Sequence, residues 1–172
     1  LAFFSGSPVA VRTAETMSLG ELIREDCILL DVPAKEKADL IRRMVDRLQG
    51  LGLVGDPDAV VHALLERERV MSTGIGGGVA IPHAQTPAVG SLAVSLARAP
   101  VGIDFASLDE KPVRLVFMIV GPEERGGFIR ILARISRLLY SGDLQTRLLE
   151  AKTPADIVRI IRAPSRAPSI PR

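Results

Sequence analysis

The chain has no tryptophan, one tyrosine, one cysteine and two histidines among 172 residues. Aromatics total 3%. That scarcity argues against a reader of single-stranded nucleic acid, which stacks bases on aromatic rings. It also requires an aliphatic core of Leu, Ile, Val and Ala. The lone Cys27 excludes an internal disulfide and a cysteine-based zinc cluster, and fits a reducing cytoplasm. An excess of one charge is lacking too. The 22 basic and 20 acidic residues leave a net +2, no electrostatic footprint for nucleic acid. No apolar run reaches membrane-spanning length, so direct membrane insertion is not expected. The opening "LAFFSGSPVA" lacks the basic start and long apolar stretch of a secretion signal.

What the chain does have is apolar mass, 47% of its residues, enough for one domain with a packed interior. Residues 1–17 read as a small, polar N-terminal tail, with Met17 a candidate start. Residues 163–172, "APSRAPSIPR", carry three prolines and no core pattern, and read as a flexible C-terminal tail. The domain is expected over 18–162.

Between the tails, strands and helices alternate. Ser18 can cap a short helix at "LGELI". "CILLDV", 27–32, reads as a buried strand. In "PAKEKADLIRRMVDRLQG" the apolar positions Ala34, Ala38, Ile41, Val45 and Leu48 share one helical face. Gly50 and Gly52 end that helix. The next opens with Asp56 as N-cap and Pro57 at its first position, and turns Val60, Val61, Leu64 and Leu65 inward. A short strand at "VAI" and an alternating strand at "SLAVSLARA" follow. "VRLVFMIVG", 113–121, is a continuous apolar run and the best candidate for a central strand. "GGFIRILARISRLLY" is a helix with Phe128, Ile131, Leu132, Ile135, Leu138 and Leu139 inward. Two more helices follow, the last capped by Thr153 with Pro154 in its first turn. The order predicts a single α/β domain, with a mixed parallel and antiparallel sheet of about five strands and helices on both faces.

The chemistry centres on "STGIGGGVAIPHAQ", 72–85, where four glycines fall in five positions ahead of Pro82 and His83. A nucleotide P-loop needs Lys and Ser/Thr after the last glycine, whereas Val79 and Ala80 follow here. The dinucleotide pattern fails as well: its third glycine would fall on Val79. No Cys, Asp or Glu stands at metal-ligand spacing from either histidine, so no metal and no cofactor is expected. No G-x-S-x-G elbow is present.

An arbitrary histidine is most often a satisfied core or loop residue. Three local features set His83 apart. Pro82 fixes its own φ and pushes Ile81 toward an extended conformation. His83 falls where a strand edge meets a loop. Upstream glycines offer N–H groups to an anion. Such a ring can serve as a nucleophile toward a phosphoryl group; general acid–base work is the less specific alternative.

The stretch "RERVMSTGIGGGVAIPHA" resembles the active-site segment of the enzyme IIA proteins of the bacterial phosphoenolpyruvate-dependent phosphotransferase system. The class is the fructose, mannitol and nitrogen-regulatory one, the type-2 EIIA domain. The likeness continues in "GIDFASLDEKPVRLVFMIVGPE" and "LARISRLL", and covers about residues 18–162. It implies a phosphotransferase component with a phosphohistidine intermediate. His83 would accept the phosphoryl group at Nε2 from the phosphocarrier protein HPr or its nitrogen-branch paralogue. Arg67 would neutralise the phosphate, and Ser72, Thr73 and Gly74 would line the phosphate loop.

Two positions depart from the family pattern. A second histidine commonly begins the helix containing "LARISRLL", and the register puts Phe128 there. Gln85 stands where Arg or Thr is often found. The resemblance implies a regulatory, nitrogen-branch-like output through a target protein. The alternatives are a sugar-specific IIA serving a IIB partner in fructose- or mannitol-type uptake, and a non-catalytic binding module on the same fold. His62 falls between apolar positions and reads as an ordinary helix-surface residue.

Overall fold

A computed structural model describes residues 18–123 and 127–163. The two tails expected at 1–17 and 163–172 lie outside the described residues, apart from Ala163. A four-residue helix α1 (Leu19–Leu22) leads into strand β1 (Ile23–Leu29). Helices α2 (Lys37–Gly50) and α3 (Pro57–Val70) follow. Then come the short strands β2 (Gly74–Gly76), β3 (Val79–Ala80) and β4 (His83–Gln85). The long strands β5 (Ala93–Ile103) and β6 (Val113–Gly121) precede α4 (Gly127–Leu139), α5 (Gly142–Glu150) and α6 (Pro154–Arg162).

Six strands form one sheet in the order β1-β5-β6-β3-β2, with β4 also paired to β6. β5 runs antiparallel to β6, while β3 and β4 run parallel to it. The sixth strand arises because Pro82 divides one strand into two. Val79 and Ala80 pair with Leu115 and Val116, and His83 to Gln85 resume against Ile119 to Gly121. Pro82 cannot donate to the ladder, yet its carbonyl still accepts from Ile119 N–H at 3.0 Å.

β6 is the central strand, and its apolar run serves two cores with a period of two. Val116, Met118 and Val120 face the core beneath α2 and α3. Leu115, Phe117 and Ile119 face the core shared with α1, α4, α5 and α6. Burial of this kind contributes about 1.5–3 kcal/mol for each large apolar side chain. Two of the expected caps form by side-chain bonds: Asp56 accepts from Ala59 N–H at 3.0 Å, and Thr153 Oγ1 from Asp156 N–H at 3.1 Å. Helix α2 begins three residues later than Ala34, and Ala38 is exposed. Its inward stripe is Leu40, Ile41, Met44, Val45 and Leu48.

Candidate functional site

The glycine run makes a hairpin. Gly77 and Gly78 connect β2 to β3 at φ values of 64° and 79°, the positive pair that a two-residue primed turn requires. Gly74 is needed for another reason: a Cβ there would come within 2.0 Å of Ser107 Oγ. Two of the glycine N–H groups expected to face an anion have protein partners instead. Gly77 N–H donates to Asp109 at 2.8 Å, and Gly74 N–H to Ser72 Oγ at 3.0 Å.

His83 is half-buried in β4, immediately after Pro82. Its Nδ1 lies 2.7 Å from the Ile81 carbonyl oxygen. That oxygen can only accept, so Nδ1 carries the proton and Nε2 keeps its lone pair. Burial pushes the imidazole below the ordinary histidine value; the Ile81 carbonyl opposes this, the Arg67 charge reinforces it, and Glu68 opposes it weakly. The ring is therefore neutral near pH 7, with a nucleophilic nitrogen.

Arg67 and Glu68 occupy the last turn of α3, which packs on β4. Arg67 donates to the Met71 carbonyl at 3.1 Å, which stations its guanidinium beside the loop that leads into β2. Glu68 is buried. It accepts from Lys37 at 3.2 Å and from the Thr73 N–H at 2.9 Å, and it also binds the Thr73 hydroxyl. Ser72 donates its hydroxyl to the Phe105 carbonyl at 2.6 Å. The side-chain and amide donors of Ser72, Thr73 and Gly74 named here thus all have protein partners. Sequence reasoning named Arg67 and overlooked Glu68; its only signal was its place beside Arg67 in the family-like segment.

Phe128, at the start of α4, is buried, and its ring lies 6.1 Å from the His83 ring centre at a tilt of 51°. One side of the imidazole therefore meets an aromatic wall that offers no hydrogen bond. Gln85 reaches away toward the Pro122 and Glu123 carbonyls at 3.3 and 3.4 Å. His62 is exposed on α3. Cys27 is buried, with its thiol pushed up to about 11 by burial, so it is no nucleophile at neutral pH. Among the described residues, no group of three or more His, Cys, Asp or Glu could hold a metal. No described helix is long and apolar enough to cross a membrane.

A pH dependence follows from the lowered His83 value. For the phosphoryl acceptance that the sequence resemblance implies, attack by Nε2 requires the neutral ring, so the acid limb of the rate is expected below about pH 6.5. Replacing Arg67 with Ala removes a positive neighbour, so imidazolium forms more easily and the limb moves up. The same change should slow phosphorylation at neutral pH by about tenfold or more, the worth of one charge-assisted hydrogen bond. A rate–pH series on both proteins checks this; an unmoved limb and rate refute the Arg67 assignment. Linkage has the matching sign: the unfolded chain holds the proton up to the higher value. His83 thus lowers stability as pH falls through about 6.5, and has no effect above it.

Residues 21–163 match the family described as "Phosphoenolpyruvate-dependent sugar phosphotransferase system, EIIA 2". The chain is 40% identical over 146 residues to the PTS system fructose-specific EIIABC component of Bacillus subtilis, covering 84% of this chain and 23% of that protein. It therefore spans under a quarter of that relative. It is 39% identical over 137 residues to the PTS system fructose-specific EIIA component of Haloferax volcanii, covering 79% of this chain and 89% of that protein. The solved structure of nitrogen regulatory protein IIA-Ntr from Neisseria meningitidis superposes with a TM-score of 0.77 at 26% identity, covering 83% of this chain and 97% of that one. A half-buried histidine immediately after a proline break in the sheet thus sits in a fold shared with both sugar-specific and nitrogen-regulatory proteins. The chain belongs to the EIIA 2 family of the phosphoenolpyruvate-dependent phosphotransferase system.

Proposed function

We propose that the protein is a cytoplasmic phosphotransfer unit that accepts a phosphoryl group on Nε2 of His83. The observation that carries this is the bond from Nδ1–H to the Ile81 carbonyl, which leaves Nε2 neutral and available. The donor is a phosphohistidine on HPr or its nitrogen-branch paralogue. Nε2 attacks phosphorus, the donor's P–N bond breaks, and its electron pair returns to the donor ring. Positive charge developing on the His83 ring is stabilised by the Ile81 carbonyl dipole through Nδ1–H. Arg67 neutralises the incoming phosphate. Ser72, Thr73 and Gly74 line the approach and shape it. Exposed Val70, Met71, Ile75 and Leu108 flank the loop and suit a protein partner with an apolar contact face. Incubation with phosphoenolpyruvate, enzyme I and HPr, followed by intact mass, tests the reading. One added phosphoryl group supports it, and none refutes it.

A regulatory output fits the Phe128 wall, which excludes water from one side of the ring and gives a phosphate no second donor. Phosphoryl uptake persists under this reading while onward transfer is slow. Phe128→His should then speed exchange with the phosphocarrier, by up to about tenfold if the new ring makes one hydrogen bond to the transferring group. Exchange no faster than wild type in quench-flow sinks the regulatory argument. The second reading is a sugar relay to a IIB partner. Higher identity to the two fructose-specific proteins than to the nitrogen-regulatory structure favours it.

A further inference from the structure

Glu68 is the one carboxylate among the buried polar side chains of the described residues. Burying it unpaired would be costly, and three donors satisfy it: Lys37 on one oxygen, the Thr73 amide and hydroxyl on the other. The connection does not stop there. The Thr73 carbonyl accepts from Ile81 N–H at 2.9 Å, and the Ile81 carbonyl accepts from His83 Nδ1–H at 2.7 Å. A continuous hydrogen-bonded path therefore runs from the N-terminus of α2, through the last turn of α3 and the loop before β2, to the ring. At the ring end the path runs through buried Thr73 and Ile81.

We propose that Glu68 is a positioning residue for phosphoryl transfer: held by Lys37, it fixes Thr73, and through Thr73 and Ile81 it fixes the orientation and tautomer of His83. This rests on the reading of His83 as the phosphoryl acceptor. The chemistry requires such a device. If the proton moves to Nε2, the lone pair lies on Nδ1 against the Ile81 carbonyl, where no phosphoryl donor can reach it; if the ring flips, Nδ1–H loses that carbonyl and Nε2 points elsewhere. The Ile81 carbonyl prevents this only while it stays put, and Ile81 is held at its N–H by the Thr73 carbonyl of the neighbouring segment. Thr73 in turn is held on two atoms by one carboxylate oxygen. Arg67 precedes Glu68 in the same helical turn, so the clamp also sets the distance between the phosphate-neutralising guanidinium and the ring.

The test reads tautomer and rate separately. Two-bond ¹⁵N–¹H correlation on the full chain, above the ring's titration, reports which nitrogen of His83 carries the proton. Wild type should show Nδ1–H alone. Glu68→Ala should show mixed tautomers and take up phosphoryl from HPr about tenfold to hundredfold more slowly, the usual penalty for a misplaced reacting group. Glu68→Gln keeps an acceptor for the Thr73 amide and should recover most of both, even with the Lys37 charge unmatched. Where Glu68→Ala fails to fold, Thr73→Ala and Thr73→Ser carry the test: Ala should loosen the tautomer, and Ser should restore Nδ1–H. A wild-type tautomer and rate in folded Glu68→Ala or Thr73→Ala overturns the proposal alone. A loss of rate at an unchanged tautomer also overturns it, since that is general support of the fold. Failure of wild type to take up phosphoryl at all overturns the phosphotransfer reading and this proposal with it.

Discussion

Replacing His83 with alanine is expected to abolish phosphoryl uptake from phosphoenolpyruvate, enzyme I and HPr. The chain has two histidines, and their settings differ in every respect that matters to nucleophilicity. His83 is half-buried, has its tautomer set by the Ile81 carbonyl, and lies beside the Arg67 charge. His62 is exposed on the surface of α3. The position from which a second histidine could rescue transfer holds Phe128. Cys27 is buried and its thiol is held protonated, so it offers no substitute. Wild type should gain one acid-labile phosphoryl group, His62→Ala the same, and His83→Ala none. Label retained by His83→Ala, or lost in His62→Ala, would overturn the assignment.

Arg98 should give the largest loss of stability. It lies in β5 with its side chain only 9% exposed. Its Nε and Nη2 pair with the two carboxylate oxygens of Asp31 at 3.0 and 3.1 Å. Its Nη1 donates to the carbonyls of Leu149 and Ala151 at 2.9 and 2.6 Å, with Leu148 at 3.5 Å. These carbonyls end α5, where a helix leaves its last acceptors without internal partners. One guanidinium thus ties the sheet to the end of a helix. Alanine would strand buried carbonyls and a cavity, at a cost of about 3–5 kcal/mol. For a domain of this size the melting temperature should fall by roughly 6–20 °C. Asp31 is 60% exposed, so its share is small. Asp31→Asn, which suits the positive φ at that position, should cost at most about 1 kcal/mol. Thermal unfolding of both variants separates the two. Equal losses would mean that the ion pair, and not the helix end, carries the energy.

Much of this architecture was legible in the sequence because local signals agree with tertiary demands. The β6 run is continuous since both its faces are covered, and the Asp56 and Thr153 caps stand beside prolines that fit the first turn. Other features needed the third dimension. β1 begins at Ile23 rather than Cys27, because an edge strand can carry Arg24 and Glu25 toward solvent. β2 hid inside the glycine run, which on its own reads as a turn. At the candidate site, Pro82–His83 stood out from its local pattern, while Arg67 was named only through the family-like segment. Glu68 was not: in a helix rich in charge it looks like another surface residue. Only Lys37, 31 positions away, and Thr73 make it a buried carboxylate. Phe128 was placed by register alone, whereas its contact with the His83 ring depends on how α4 crosses the end of β6.

Under the proposed phosphotransfer reading, the strand broken at Pro82 has a consequence for how the state of His83 can be read by other proteins. A nucleophile on a loose loop can signal by changing the loop's shape. His83 is instead laddered to β6, the middle strand of the sheet, on both sides of the break. Amides in such a place exchange with solvent hydrogen only when much of the domain opens. A phosphoryl group here meets a scaffold too stiff to be remodelled by one added anion. What changes is the electrostatic potential above the ring: two negative charges appear where a neutral imidazole stood. A partner would therefore distinguish the two states by the field it meets on approach, and that discrimination should fade as added salt shortens the Debye length.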